Sequence, residues 1–138
     1  MKRESEEMNR LIQGIHHVCI KCTKDEIAKV KHFYGELLGL PILRSWGKPE
    51  LEGFMFETGA GLVEVFTNAS EELSQGSIRH FAFKTSNVDK CIQIVRDSGY
   101  KVTVEPKDIV IASNPAFPAR VAFCIGPVGE EIEFFEEK

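Results

Sequence analysis

From Ile15 onward the chain alternates short strand-like runs with two helical stripes. Ile15–Lys21 switches between apolar and polar residues, the pattern of a strand with one buried face. Ile27, Val30, Phe33, Tyr34, Leu37 and Leu38 then recur at helical spacing, which predicts a helix over about Glu26–Leu38. Gly39 closes it as a C-terminal cap, and Pro41 forbids its continuation. Three strands are expected next, at Pro41–Trp46, Leu51–Thr58 and Leu62–Thr67, the last two joined through the tight Gly59-Ala60-Gly61 link. Polar Asn68–Ser77 reads as a linker, after which the order repeats. Strand Ile78–Lys84 leads to a helix at about Val88–Ser98, with Val88, Cys91, Ile92 and Val95 inward and Gly99 as its stop. Tyr100–Glu105 is a further strand, and Pro106 to Pro118 is broken by prolines, with only Ile109–Ile111 pairing briefly. Strands Arg120–Ile125 and Glu131–Glu136 follow, joined by the turn at Gly126–Gly129.

The repetition extends to individual residues. Ile78–Ser86 matches Ile15–Thr23 with His80 over His17, 63 residues on, and Thr23…Glu26 and Ser86…Asp89 both fit the S/T-x-x-E/D pattern that satisfies orphan amides at a helix start. The chain is therefore α+β, two βαβββ modules in tandem, each a mixed sheet with a helix on one face. Module one covers about 14–67, the linker 68–77 and module two about 78–138, with 1–13 a polar N-terminal extension.

A net charge of −4 with scattered basic residues removes the electrostatic footprint of a nucleic-acid binder. No apolar run approaches the roughly 18–20 residues of a membrane span. The basic N-terminus has no apolar segment behind it, so no secretory signal is expected and the location is cytoplasmic. Cys19, Cys22, Cys91 and Cys124 then read as reduced thiols. Cys19 and Cys22 stand three apart on one strand, on opposite faces, with no second C-x-x-C to complete a zinc site.

Strand parity selects a different set of residues. Val18 and Ile20 are the helix-packed pair of the first strand, so His17 faces away; Phe81 and Phe83 do the same for His80. Val63 and Val65 set Glu64 on the face away from the helix, and Ile132 and Phe134 do so for Glu133. A pseudo-twofold pairing of the modules would gather two imidazoles and two carboxylates, a donor set suited to zinc, nickel, cobalt, iron or manganese. A glutamate between apolar neighbours in a central strand otherwise carries a desolvation cost. Phe66 and Phe135 share the parity of the glutamates and are expected to line a pocket, with Trp46, Phe117 and Arg120 as weaker candidates, Arg120 as an anion anchor. Ala112–Arg120 reads as a flap, His16 as a structural neighbour on the wrong face, and His32 as solvated.

These segments (HHVCI, FYGELLGLPILRSW, GLVEVF, RHFAF and EEIEFF) resemble the glyoxalase I and bleomycin-resistance group, the vicinal oxygen chelate superfamily, from about Ile15 to Glu136. The resemblance implies a single domain over 14–138, a curved mixed sheet around a concave metal and substrate site, and the ligands His17, Glu64, His80 and Glu133. It implies a metal-dependent lyase or isomerase moving a proton through a metal-bound enediolate on a small oxygenated substrate. Glu133 would be the shuttling base and Glu64 its counterpart. A thiol adduct is one substrate option, and a homodimer is expected. The alternatives within the group are a small-molecule sequestering protein of bleomycin-resistance type and a metal-dependent dioxygenase or transferase.

Overall fold

Two four-stranded sheets, each with a helix on one side, form the molecule. The computed structural model describes residues 15–47, 52–73, 75–76, 78–113 and 115–138. The expected extension at 1–13 and the expected strand start at Leu51 lie outside those residues. Module one contains β1 (His17–Lys21), helix α1 (residues 24–37), β2 (Ile42–Trp46), β3 (Gly53–Glu57) and β4 (Leu62–Phe66). Module two contains β5 (Phe81–Lys84), α2 (Val88–Asp97), β6 (Val102–Ile111), β7 (Phe117–Ile125) and β8 (Glu131–Glu137). The sheet orders are β1-β4-β3-β2 and β5-β8-β7-β6. In both, the first strand lies parallel to the last and the remaining pairs are antiparallel. The tandem βαβββ architecture is thus present, carried by two separate sheets.

Helix α1 is wound in three pieces: a 3-10 turn at Lys24–Glu26, an α turn at Ile27–Val30 and a π segment at Lys31–Leu37. It starts at the expected capping box, in which the Thr23 amide donates to Glu26 Oε1 at 2.9 Å. It ends at Gly39, whose φ of 72° suits a residue without Cβ. The adjacent residues Phe33 and Tyr34, on the π segment, are both fully buried in the core. They reach across to module two, Phe33 against Tyr100 (ring centroids 4.8 Å apart) and Tyr34 against Phe83 (6.4 Å). The Tyr34 hydroxyl donates to Glu130 Oε2 at 2.5 Å, and the Val128 amide donates to Glu130 Oε1 at 2.9 Å. One buried cluster, including Phe54, Phe56, Val63, Val65, Ile92, Ile132 and Phe134, therefore runs through both modules.

Three expectations are corrected here. The second helix is capped by Asn87, which accepts from the Lys90 amide at 3.1 Å, and not by a Ser86…Asp89 box. Asp89 is engaged by Arg120, and the first helical amide, Val88, donates to Glu136 Oε1 at 3.2 Å. Strand β6 runs continuously to Ile111, straight through Pro106. The proline is tolerated because β6 is an edge strand and its register with β7 slips between Val104 and Lys107. The expected flap shrinks accordingly, since β6 reaches Ile111 and β7 already begins at Phe117.

Candidate functional site

Parity along the strands places the candidate residues as the ladders require. In β1 the side chains of Val18 and Ile20 are the partly buried ones, and His17, Cys19 and Lys21 are exposed on the open face. In β4, Val63 and Val65 are buried and Glu64 faces away from the helix. His17 Nε2 lies 3.4 Å from Glu64 Oε1. In module two, Ile132 and Phe134 are buried, and His80 Nε2 lies 3.2 Å from Glu133 Oε1. Each histidine side chain is about two-fifths exposed (38% and 40%), and each glutamate side chain is 13% exposed. The duplicated histidine–glutamate pair is thus an observed feature of both sheets.

The two pairs do not meet within one chain. Among the described residues no three His, Cys, Asp or Glu side chains converge as a metal-binding group. Each pair nevertheless fits as half of such a group. Two donor atoms held at bond lengths of about 2.0–2.2 Å around one ion lie about 3 Å apart, which is the spacing of imidazole nitrogen and carboxylate oxygen in both modules. Burial raises the Glu133 carboxyl above its ordinary value, and His80 beside it pulls the other way.

The pocket candidates divide between the two faces. Trp46 and Phe66 pack edge to face with centroids 5.6 Å apart, and Phe117 and Phe135 do so at 5.8 Å. Each aromatic pair sits on the open side of its sheet beside one glutamate. Trp46 lies over Gly53, where an added Cβ would stand 2.1 Å from the indole ring, so only glycine lets that ring settle on the sheet. Arg120 lies elsewhere. Val121 opposes Phe135 on the open face, so Arg120, next along the strand, takes the helix side. There its Nε and Nη2 donate to Asp89 at 2.9 and 2.8 Å, and Nη1 donates to Asp108 at 3.2 Å. It joins β7 to the start of α2 and does not join the glutamates as an anion anchor.

One neighbour of His17, His16, was not expected at the site, whereas Cys19 shares the open face with His17 as strand parity requires. His16 Nδ1 lies 3.0 Å from His17 Nδ1, a hydrogen bond that leaves Nε2 of His17 for the Glu64 side. The adjacent-histidine motif is visible in the sequence, but strand parity alone assigns His16 to the other face. Cys19 stands opposite Glu64 in the ladder, and burial followed by that carboxylate pushes its thiol up to about 11. It is a protonated neighbour at neutral pH, consistent with four free cysteines. A cleft of about 780 Å³ opens between the edges of β1 and β5 and is lined by both His17 and His80. It lies along the strand edges, whereas Glu64 and Glu133 belong to the sheet faces and do not line it.

Comparison with known proteins agrees with the fold. The uncharacterized protein YwkD of Bacillus subtilis (strain 168) is 26% identical over 135 residues, covering 92% of this chain and 99% of that protein. A glyoxalase family protein from Enterococcus faecalis superposes with a TM-score of 0.70 at 23% identity, over 92% of this chain and 100% of that one. The genomically encoded fosfomycin resistance protein FosX of Listeria monocytogenes superposes at 0.69 with 13% identity, over 93% and 96%. At these identities the superpositions speak for the fold alone. No helix among the described residues is long and apolar enough to cross a membrane. The sequence profile of the family matches residues 14–134, and with the duplicated fold and its paired histidines and glutamates, this chain belongs to the glyoxalase/bleomycin resistance protein/dioxygenase superfamily.

Proposed function

We propose that two copies of this chain form a homodimer with two composite metal sites. In each, the His17–Glu64 face of one protomer meets the His80–Glu133 face of its partner. The reaction is glyoxalase-type proton transfer, a lyase or isomerase step on a small oxygenated substrate. One observation carries the reading: each module holds a histidine nitrogen and a glutamate oxygen at ligand spacing, 3.4 and 3.2 Å, with no third donor converging on either pair among the described residues. Two such halves supply the four nitrogen and oxygen donors that zinc, nickel, cobalt, iron or manganese prefers.

His17 and His80 would bind through Nε2, and Glu64 and Glu133 through Oε1. A divalent ion held there supplies Lewis-acid stabilisation of charge on the substrate's oxygens. Glu133 is the proton carrier. Its Oε1 faces His80, and Oε2, without a hydrogen-bond partner among the described residues, takes the proton from the carbon beside the carbonyl and returns it to the next carbon. Burial makes this carboxylate a better base than an exposed one. Phe66 and Phe135, each braced by its aromatic neighbour, flank the glutamates and limit water there.

Elemental analysis of protein purified without chelator, combined with the solution mass, tests the proposal. A dimer with one metal per chain is expected. His17→Ala and His80→Ala should each lose the metal, and subunit exchange between the two variants should restore about a quarter of the wild-type content, because half of the dimers are hybrids with one intact site. A metal-free protein, or a monomer, sinks the proposal. The second reading is sequestration of a planar ligand without turnover, favoured by the Trp46–Phe66 and Phe117–Phe135 pairs. It gains if the metal-free protein binds an aromatic drug.

A further inference from the structure

Crossing the first sheet from Glu64, the ladder runs through Met55 on β3 to Arg44 on β2. A register slip between Ile42 and Arg44 makes this row possible. Ile42 opposes Phe56 on the core side, and after one extra residue Arg44 and Trp46 oppose Met55 and Gly53 on the open side. Bulges of this kind re-aim side chains near functional sites. The guanidinium turns back along the row, its Nη1 lying 3.7 Å from Met55 Sδ. That thioether contact is its hydrogen-bonding partner; no carboxylate pairs with it among the described residues. Glu57, on the same face, is occupied by the Gly59 amide, which donates to its Oε1 at 2.7 Å. Arg96 and Arg120, by contrast, are both ion-paired with carboxylates.

We infer that Arg44 is the specificity residue of the composite site, and that it seats a terminal oxyanion of the substrate, a carboxylate or a phosphate. The inference rests on the metal-site reading above. Two strand spacings separate Arg44 from Glu64, about 9–10 Å between backbones, so the oxyanion lies at the far end of a substrate whose oxygenated carbons sit beside Glu64. Trp46 and Phe66 form the adjacent row and offer an apolar wall for the intervening chain. The planar guanidinium fork matches either oxyanion with two parallel hydrogen bonds. In module two the corresponding row from Glu133 runs through Phe123 to Val104, so no cation competes at the equivalent place. The substrate is thereby held in one orientation, its charged tail on the first module's wall and its reacting carbons toward Glu133 of the second.

The test uses cobalt-loaded protein and follows the cobalt absorption spectrum during titration with hydroxamates. One ligand is acetohydroxamate; others carry a carboxylate, a phosphonate or a neutral methyl ester on an alkyl tail matched to the span. Wild type should bind at least one anionic-tail ligand about tenfold or more tightly than the ester. Arg44→Met, which keeps the apolar stem over Met55, should erase that preference and leave the acetohydroxamate Kd unchanged. Arg44→Lys should restore part of it. The stronger of the two tails in wild type identifies the oxyanion. Equal binding of anionic and ester tails by wild type, or a preference that survives Arg44→Met, overturns the assignment and leaves the metal site standing. A protein that takes up no cobalt, or whose spectrum no hydroxamate perturbs, overturns both.

Discussion

The two modules keep the same strand order and the same histidine–glutamate pair, and differ in what surrounds it. The row across the first sheet ends in Arg44, and the row across the second ends in Val104. Met55 fills the middle position in the first, while Phe123 does so in the second and packs edge to face on His80 at 5.2 Å. The helices diverge as well: α1 is wound in three registers and reaches into the other module, whereas α2 is a regular helix tied to its own sheet by Arg120 and Glu136. The repeat supplied two equivalent histidine–glutamate pairs, each with an aromatic pair beside it, and divergence around them left an arginine on the first open face where the second has a valine. Under the proposal, that asymmetry separates substrate seating from proton transfer.

The sharpest way to break the comparison is to exchange the two acids. Glu133→Gln should lower turnover by about 10²–10⁴-fold with metal content retained, as loss of a positioned base does. Glu64→Gln should cost far less. Exchange of the substrate's transferable proton into deuterated solvent, followed by NMR, measures both. Equal losses would mean that the modules share the proton and that their surroundings do not matter.

The next effect concerns the bond between modules. Tyr34→Phe leaves the half-buried Glu130 without its hydroxyl donor and should cost about 1.5–3 kcal/mol in urea unfolding. Glu130 adds a pH signature. Burial raises its pKa in the folded protein, so its contribution to stability is fully present below the ordinary carboxylate pKa and is lost as pH rises through the raised value. Glu130→Gln, whose amide can still bond Tyr34, should therefore unfold at a higher temperature than wild type near pH 8 and at the same temperature near pH 4. A constant difference across that range would mean that the carboxyl's ionisation is irrelevant to its role.

The smallest effect separates the two helix starts. Asn87→Ala should destabilise by about 1 kcal/mol, the usual worth of an N-cap. Ser86→Ala should cost less, although Ser86 is the residue the repeat would nominate. The reverse order would restore the symmetric capping that the repeat suggests.

Much of this was legible in the sequence where the strands are short and strictly alternating. Val18 and Ile20 determine the side of His17, and Ile132 and Phe134 that of Glu133, because a period of two leaves no choice. The same rule, run from Phe135 through Val121, sets Arg120 on the helix side, although its charge alone suggests an anion anchor. Arg44 is not legible from alternation, because a bulge beside it breaks the pattern that links it to Ile42. The π winding of α1 could not be read, since Val30, Phe33, Tyr34, Leu37 and Leu38 satisfy an α stripe equally well. Pro106 suggested an interruption, and the β6 edge absorbs it in a register slip. Nor does repeat symmetry within one sequence say whether its halves face each other or face another copy.

Glu130 has one more implication, for the ancestry of the fold. It immediately precedes β8, and the residue in the same place before β4 is Gly61. Two identical first halves joined end to end would thus carry no acid to grip the tyrosine, and α1 would lose the hydrogen bond that Tyr34 makes to the opposite half. The modern molecule cannot be rebuilt from either half alone.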